Sequence, residues 1–178
     1  MQQQCGALFA DPALHPISSK VALGHPDDHR PAMLTDTEYA SEDEKPVIIN
    51  WVKKRDQCHQ IAGLVRAMLR SQIIPVLENF KNVTDSLIAE LYFGHISYGE
   101  LANKRIITFH DVKMAEAIIE HHLLLFQNPQ AESESRQLAN EAIANWKTLM
   151  HPNALQQMRA HMMTLTTGAK PTNTMNDR

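Results

Sequence analysis

The sequence predicts an all-α fold: an antiparallel helical bundle of four to five helices with an extended N-terminal arm packed on it. Three observations predict it. Six glycines and 6% aromatic residues are too few for a β-sandwich, which needs turn glycines and strand aromatics. Apolar residues recur at helical spacing from Trp51 onward. Two capping boxes, Ser41 with Glu44 and Ser97 with Glu100, mark helix starts. At 178 residues and 43% hydrophobic content, the chain suits one domain with a real core and irregular ends. The expected divisions are an N-terminal arm over residues 1–40, a helical bundle over 41–165 and a flexible tail over 166–178.

The arm is expected to be extended because Pro12, Pro16, Pro26 and Pro31 punctuate it and Pro46 follows close behind. It is not purely polar. Leu8, Phe9, Leu14, Ile17, Val21, Leu23, Met33 and Leu34 are spaced through it, a pattern that disordered tails lack. The arm therefore lies on the domain rather than trailing from it.

The first helix follows "YASEDEKP". Ser41 and Glu44 cap it, residues 42–44 are acidic where the helix dipole is positive, and Pro46 falls in the first turn. Trp51, Cys58, Ala62, Val65 and Leu69 share one face, and the helix should end or kink before Pro75. A second helix carries Val76, Leu77, Phe80, Val83, Leu87, Ile88 and Leu91, and Gly94 stops it in a left-handed C-cap. The third opens at Ser97 and runs over about residues 98–127, with Leu101, Phe109, Val112, Ala115, Ile119, Leu123 and Phe126 facing inward. A connection this short makes the second and third helices an antiparallel hairpin. A fourth helix carries Leu138, Ala142, Ile143, Trp146 and Leu149, and a last short one spans "ALQQMRAHMMTL".

Composition excludes several functions. A formal charge of −3 with no basic stripe gives nothing to displace counterions from nucleic acid. The longest apolar run, "IIEHHLLLF", is interrupted by Glu120, His121 and His122, so no transmembrane segment is expected. No charged n-region and apolar h-region opens the sequence, so a signal peptide is expected to have been removed if the protein is exported.

Few residues are arranged for chemistry. Ten histidines invite a metal, and "GHPDDHR" groups His25, Asp27, Asp28 and His29, but a proline-bounded loop does not fix ligands in space. His110 and His121 share a helix face three turns apart. Neither Glu-x-x-His pairs nor HExxH occurs, so no metal site and no cofactor are expected. His59 beside Cys58 points about 100° away on a helix, so a Cys–His nucleophile is not expected. GxSxG, phosphate-cradling and dinucleotide-binding glycine motifs are absent. No catalytic residue is expected. Met150, Met158, Met162 and Met163 near the C-terminus offer a candidate partner surface, methionine being adaptable at interfaces; they equally suit the closing of the bundle.

The blocks "CGALFADPALHPISSKVALG", "PAMLTDTEYASEDEKPVIINWVKKRDQC" and "LIAELYFGHISYGELANKR" resemble uncharacterised exported, periplasmic or lipoprotein-type helical proteins of proteobacteria, over residues 5–110. The similarity lies in a cysteine near the mature N-terminus, a "DP-L-PI--KV" arm, a "W---R--C" helix and an "ISYGE" hairpin. It implies export and an envelope location, and carries no catalytic motif.

One cysteine on an apolar-anchored arm and one on a helix face are expected to form a Cys5–Cys58 disulfide, worth about 4 kcal/mol by chain entropy. Such a bond persists only in an oxidising compartment. In the cytosol Cys58 would instead be a buried thiol, and lipidation of Cys5 would exclude the bond.

The leading expectation is a non-enzymatic exported helical protein acting through protein–protein contacts. It would be an accessory or structural subunit of a bacterial cell-envelope assembly such as a secretion apparatus, with other envelope proteins as partners. The alternatives are a cytosolic regulator or adaptor of phage or plasmid type, and a histidine-based metal- or small-ligand-binding protein.

Overall fold

The computed structural model describes residues 2–66, 73–125, 133, 134, 137, 140, 141, 144 and 153–167. Within them, regular structure is helical and no strand forms. The elements are α1 (Gln2–Phe9), α2 (His15–Ser18), α3 (Pro31–Leu34), α4 (Lys45–Arg66), α5 (Ile74–Tyr92), α6 (Tyr98–Leu125) and α7 (Ala154–Thr167), with 3-10 turns at Pro12–Leu14 and Pro26–Asp28.

The arm is the main departure from expectation. It is a succession of short helical turns rather than extended chain. Proline explains both readings: it breaks long helices, yet its fixed φ suits the first position of a short one. Pro12, Pro16, Pro26 and Pro31 each sit in the first two positions of such a turn. The apolar residues of the arm then complete the core. Leu14, Ile17, Val21, Leu23 and Met33 are all buried.

Each long helix begins as the local chemistry dictates. Before α4, the Ser41 N–H donates to Glu44 Oε2 at 2.9 Å, one half of the expected capping box. Regular helix starts only at Lys45, because Pro46 has no N–H to donate back. At α6 both halves form: the Ser97 N–H donates to Glu100 Oε2 at 2.7 Å and the Glu100 N–H to Ser97 Oγ at 3.2 Å. The arm supplies the remaining acceptors. The Tyr98 and Gly99 N–H groups donate to the carbonyls of Glu38 and Asp36 at 2.9 and 2.8 Å.

The end of α5 is a Schellman cap. Gly94 takes φ +70°, its N–H donates to Leu91 O, and the His95 N–H donates to Glu90 O at 2.8 Å. The chain then reverses, and α5 packs on α6 across the five-residue link 93–97. Helix α5 is central, packing against α4, α6 and α7, and every residue from Val83 to Tyr92 is buried.

The inner face of α6 is as expected at Leu101, Val112, Ala115 and Ile119, with Phe109 half-buried. Leu123 falls within α6, and α5 starts at Ile74 with Pro75 in its first turn; residues 67–72, where α4 was expected to end, Phe126 and the apolar residues of the fourth helix lie outside what is described. Of that fourth helix, positions 133, 134, 137, 140, 141 and 144 are helical and exposed. The tail expected from residue 166 begins in α7, which runs to Thr167; residues 168–178 lie outside the described set.

Candidate functional site

Cys5 on α1 and Cys58 on α4 are joined by a disulfide. The Lys54 ammonium adds a second tie between helix and arm, meeting Asp11 at 2.8 Å. Beneath the bond lies a cleft of 620 Å³, within the range of small-molecule sites. Its walls are largely apolar, with Phe9 from α1, Phe80 from α5 and Phe109 from α6. The Phe80 and Phe109 rings lie 6.2 Å apart, and His25 meets the Phe109 ring edge-on at 4.5 Å.

Two arginines line this cleft, and both are buried. Arg55 is 7% exposed and Arg105 is 1% exposed. Each falls where the helical repeat places a core residue. Arg105 shares the face of Leu101, Thr108 and Val112, and Arg55 follows Ile48, Trp51 and Val52. Arg105 donates through Nη1 to the Ala22 carbonyl and through Nη2 to the Gly24 carbonyl, the latter at 3.1 Å. Its guanidinium carbon lies 5.2 Å from the Trp51 ring centre, and the Trp51 Nε1–H donates to Leu23 O at 2.8 Å. One side chain thus ties the arm to two helices.

Arg55 contacts Asp85 at 3.4 Å, and Asp85 also accepts from Lys81 at 2.6 Å. Lys81 in turn meets Asp56 at 2.7 Å. This connected set balances two cations, Arg55 and Lys81, against two carboxylates, and Arg105 stands beside it with no carboxylate partner among the described residues. The Nε–H groups of both arginines are buried and find no acceptor among the described residues. Burial, with the neighbouring Arg55 charge, presses the Arg105 pKa well below the ordinary guanidinium value.

The loop histidines do not converge. His29 is turned inward, its Nδ1–H donating to the Pro26 carbonyl, while His25 packs on Phe109. Asp27 lies between His25 and His110, at 3.8 and 3.5 Å. Among the described residues no three His, Cys, Asp or Glu side chains form a metal-ligating group.

The methionine surface needs correction. Met158 is fully buried and belongs to the core, and Met162 is half-buried against it. Both lie on α7, which packs on α5. Only Met163 is exposed, and Met150 lies outside the described residues. The reason is the helical period: residues 154, 158 and 162 fall on the face turned to α5, and 163 is rotated about 100° from it. A different apolar row is exposed. Ile107, Met114 and Ile118 stand along one outer face of α6, Met114 with 64% of its surface open.

No helix among the described residues is long and apolar enough to cross a membrane. Compared with known proteins, the chain matches no family model, no curated protein and no solved structure.

Proposed function

We propose that this is a non-catalytic, exported helical protein that works through protein–protein contacts in an oxidising compartment, as an accessory subunit of a cell-envelope assembly. The Cys5–Cys58 bond carries the reading. Disulfides persist outside the reducing cytosol, and this one joins the arm to the first long helix. The resemblance of the arm and hairpin blocks to exported proteobacterial proteins supports the same compartment. For the contact itself, the Ile107–Met114–Ile118 row is the support: three large apolar side chains in line on an outward helix face.

Two measurements test it in cells producing the protein from its native locus. Alkylation of fractionated cells reports the thiols: both cysteines should be blocked to reagent until reduction, in the extracytoplasmic fraction. A photo-crosslinker at position 114 should give one discrete envelope-protein adduct, and the same group at exposed Lys53 on α4 should not. Free thiols in a cytosolic species, or no adduct specific to position 114, would sink the proposal.

A further inference from the structure

We propose that the cleft beneath the Cys5–Cys58 bond binds a small organic monocarboxylate with an apolar body, its carboxylate held by Arg55 and Arg105. Buried charges in proteins are matched by opposite charge or by a full set of hydrogen bonds. Here they are not. Asp56 and Asp85 pair with Arg55 and Lys81, which leaves the Arg105 charge without a carboxylate among the described residues. Asp28, which lines the cleft, is solvent-exposed. Among the described residues, the hydrogen-bond partners of Arg105 are main-chain carbonyls. Both arginines line the cleft, and their buried Nε–H groups are without acceptors among the described residues. A carboxylate satisfies planar guanidinium donors in pairs and supplies the single missing charge.

The body of the ligand follows from the walls. Phe9, Phe80, Phe109 and the disulfide line an open cleft of 620 Å³ whose apolar walls gain by excluding water. A phosphate dianion would over-neutralise the site and leave those walls empty. Aliphatic and aromatic acids share the required chemistry, and the experiment separates them.

The test is calorimetric titration of the oxidised full chain with octanoate, phenylacetate, phenylacetamide and inorganic phosphate. At least one of the two acids should bind one-to-one with a millimolar or tighter Kd, roughly tenfold or more tightly than the amide or phosphate. The tighter acid identifies the body. Arg55→Gln should weaken it by a similar factor. Because an arginine variant risks the fold, Gly6→Trp is the second arm. Gly6 borders the cleft, and a Cβ there meets nothing within 4 Å, so a side chain can leave the backbone there without a clash and an indole can compete for the space. This variant should keep the helical circular dichroism and the disulfide, and lose binding. Silence of both acids at 10 mM would overturn the proposal. So would equal binding of amide or phosphate, or unchanged binding by folded Gly6→Trp.

Discussion

His29 and Arg105 show what single residues contribute here. His29 is half-buried, with its Nδ1–H committed to Pro26 O and its Nε2 buried without a partner among the described residues. Burial lowers its pKa below the ordinary 6.5; the Pro26 carbonyl, Asp28 and Asp27 oppose the shift, and the Arg105 charge reinforces it. The ring is therefore neutral in the fold. The unfolded chain takes up a proton near pH 6.5 and the folded one only at lower pH. Stability from this group is complete above pH 6.5 and is lost as pH falls from there towards the folded value. His29→Gln should lose less stability than the parent between pH 7 and 5.5, as read by urea denaturation at each pH. Parallel profiles would show that His29 is not the titrating group. Neither His29's inward turn nor Arg105's role was legible in the sequence. Arginine is rarely buried, so residue type gives no reason to place Arg55 and Arg105 in the core. The signal was their position: each stands on the inward stripe of its helix, where Leu101 and Trp51 were recognised.

At the scale of elements, sequence reading succeeded where chemistry is local. Capping residues, Gly94 and the start of α6 were all legible, because a cap depends on a few adjacent residues. It failed in the arm, where single turns of helix arise from tertiary packing rather than from their own periodicity. The junction of α6 with the arm shows the difference through two glycines. Gly94 needs its positive φ, and a Cβ there meets nothing. Gly99 needs room: a Cβ would stand 2.5 Å from Asp36 O and 2.9 Å from Leu34 O, both backbone atoms. Gly94→Ala should therefore cost about 1 kcal/mol, and Gly94→Asn less, since asparagine visits the left-handed region. Gly99→Ala should cost about 1–3 kcal/mol, with no rescue by asparagine, because the arm must move. Chemical denaturation of the four variants checks this. Asparagine tolerated equally at both sites would refute the assigned causes.

On the scale of the whole molecule, the disulfide and the arm anchors hold different parts. The sequence paired Cys5 with Cys58 because each lay beside apolar anchors, and the bond is present. Its loop closes 53 residues of separation, worth about 4 kcal/mol in the chain-entropy treatment. Yet the arm does not depend on it throughout. From Leu14 to Leu23 the arm is fixed by buried Leu14, Ile17, Val21 and Leu23, by the Arg105 bonds to Ala22 and Gly24, and by Trp51 on Leu23. Among residues 3–9 of α1 none is fully buried; its ties include the disulfide, half-buried Leu8 and Phe9, and the Asp11–Lys54 pair beyond its end. Reduction should therefore release α1 and leave the remainder folded. Under limited chymotrypsin digestion, the reduced protein should be cut after Leu8 or Phe9, and the oxidised protein should resist there. The truncated product should keep its helical circular dichroism and a cooperative, lower melting transition. Early cuts at Leu14 or Leu23 on reduction would instead show that the bond holds the whole arm, and that the buried anchors do not suffice to keep it in place.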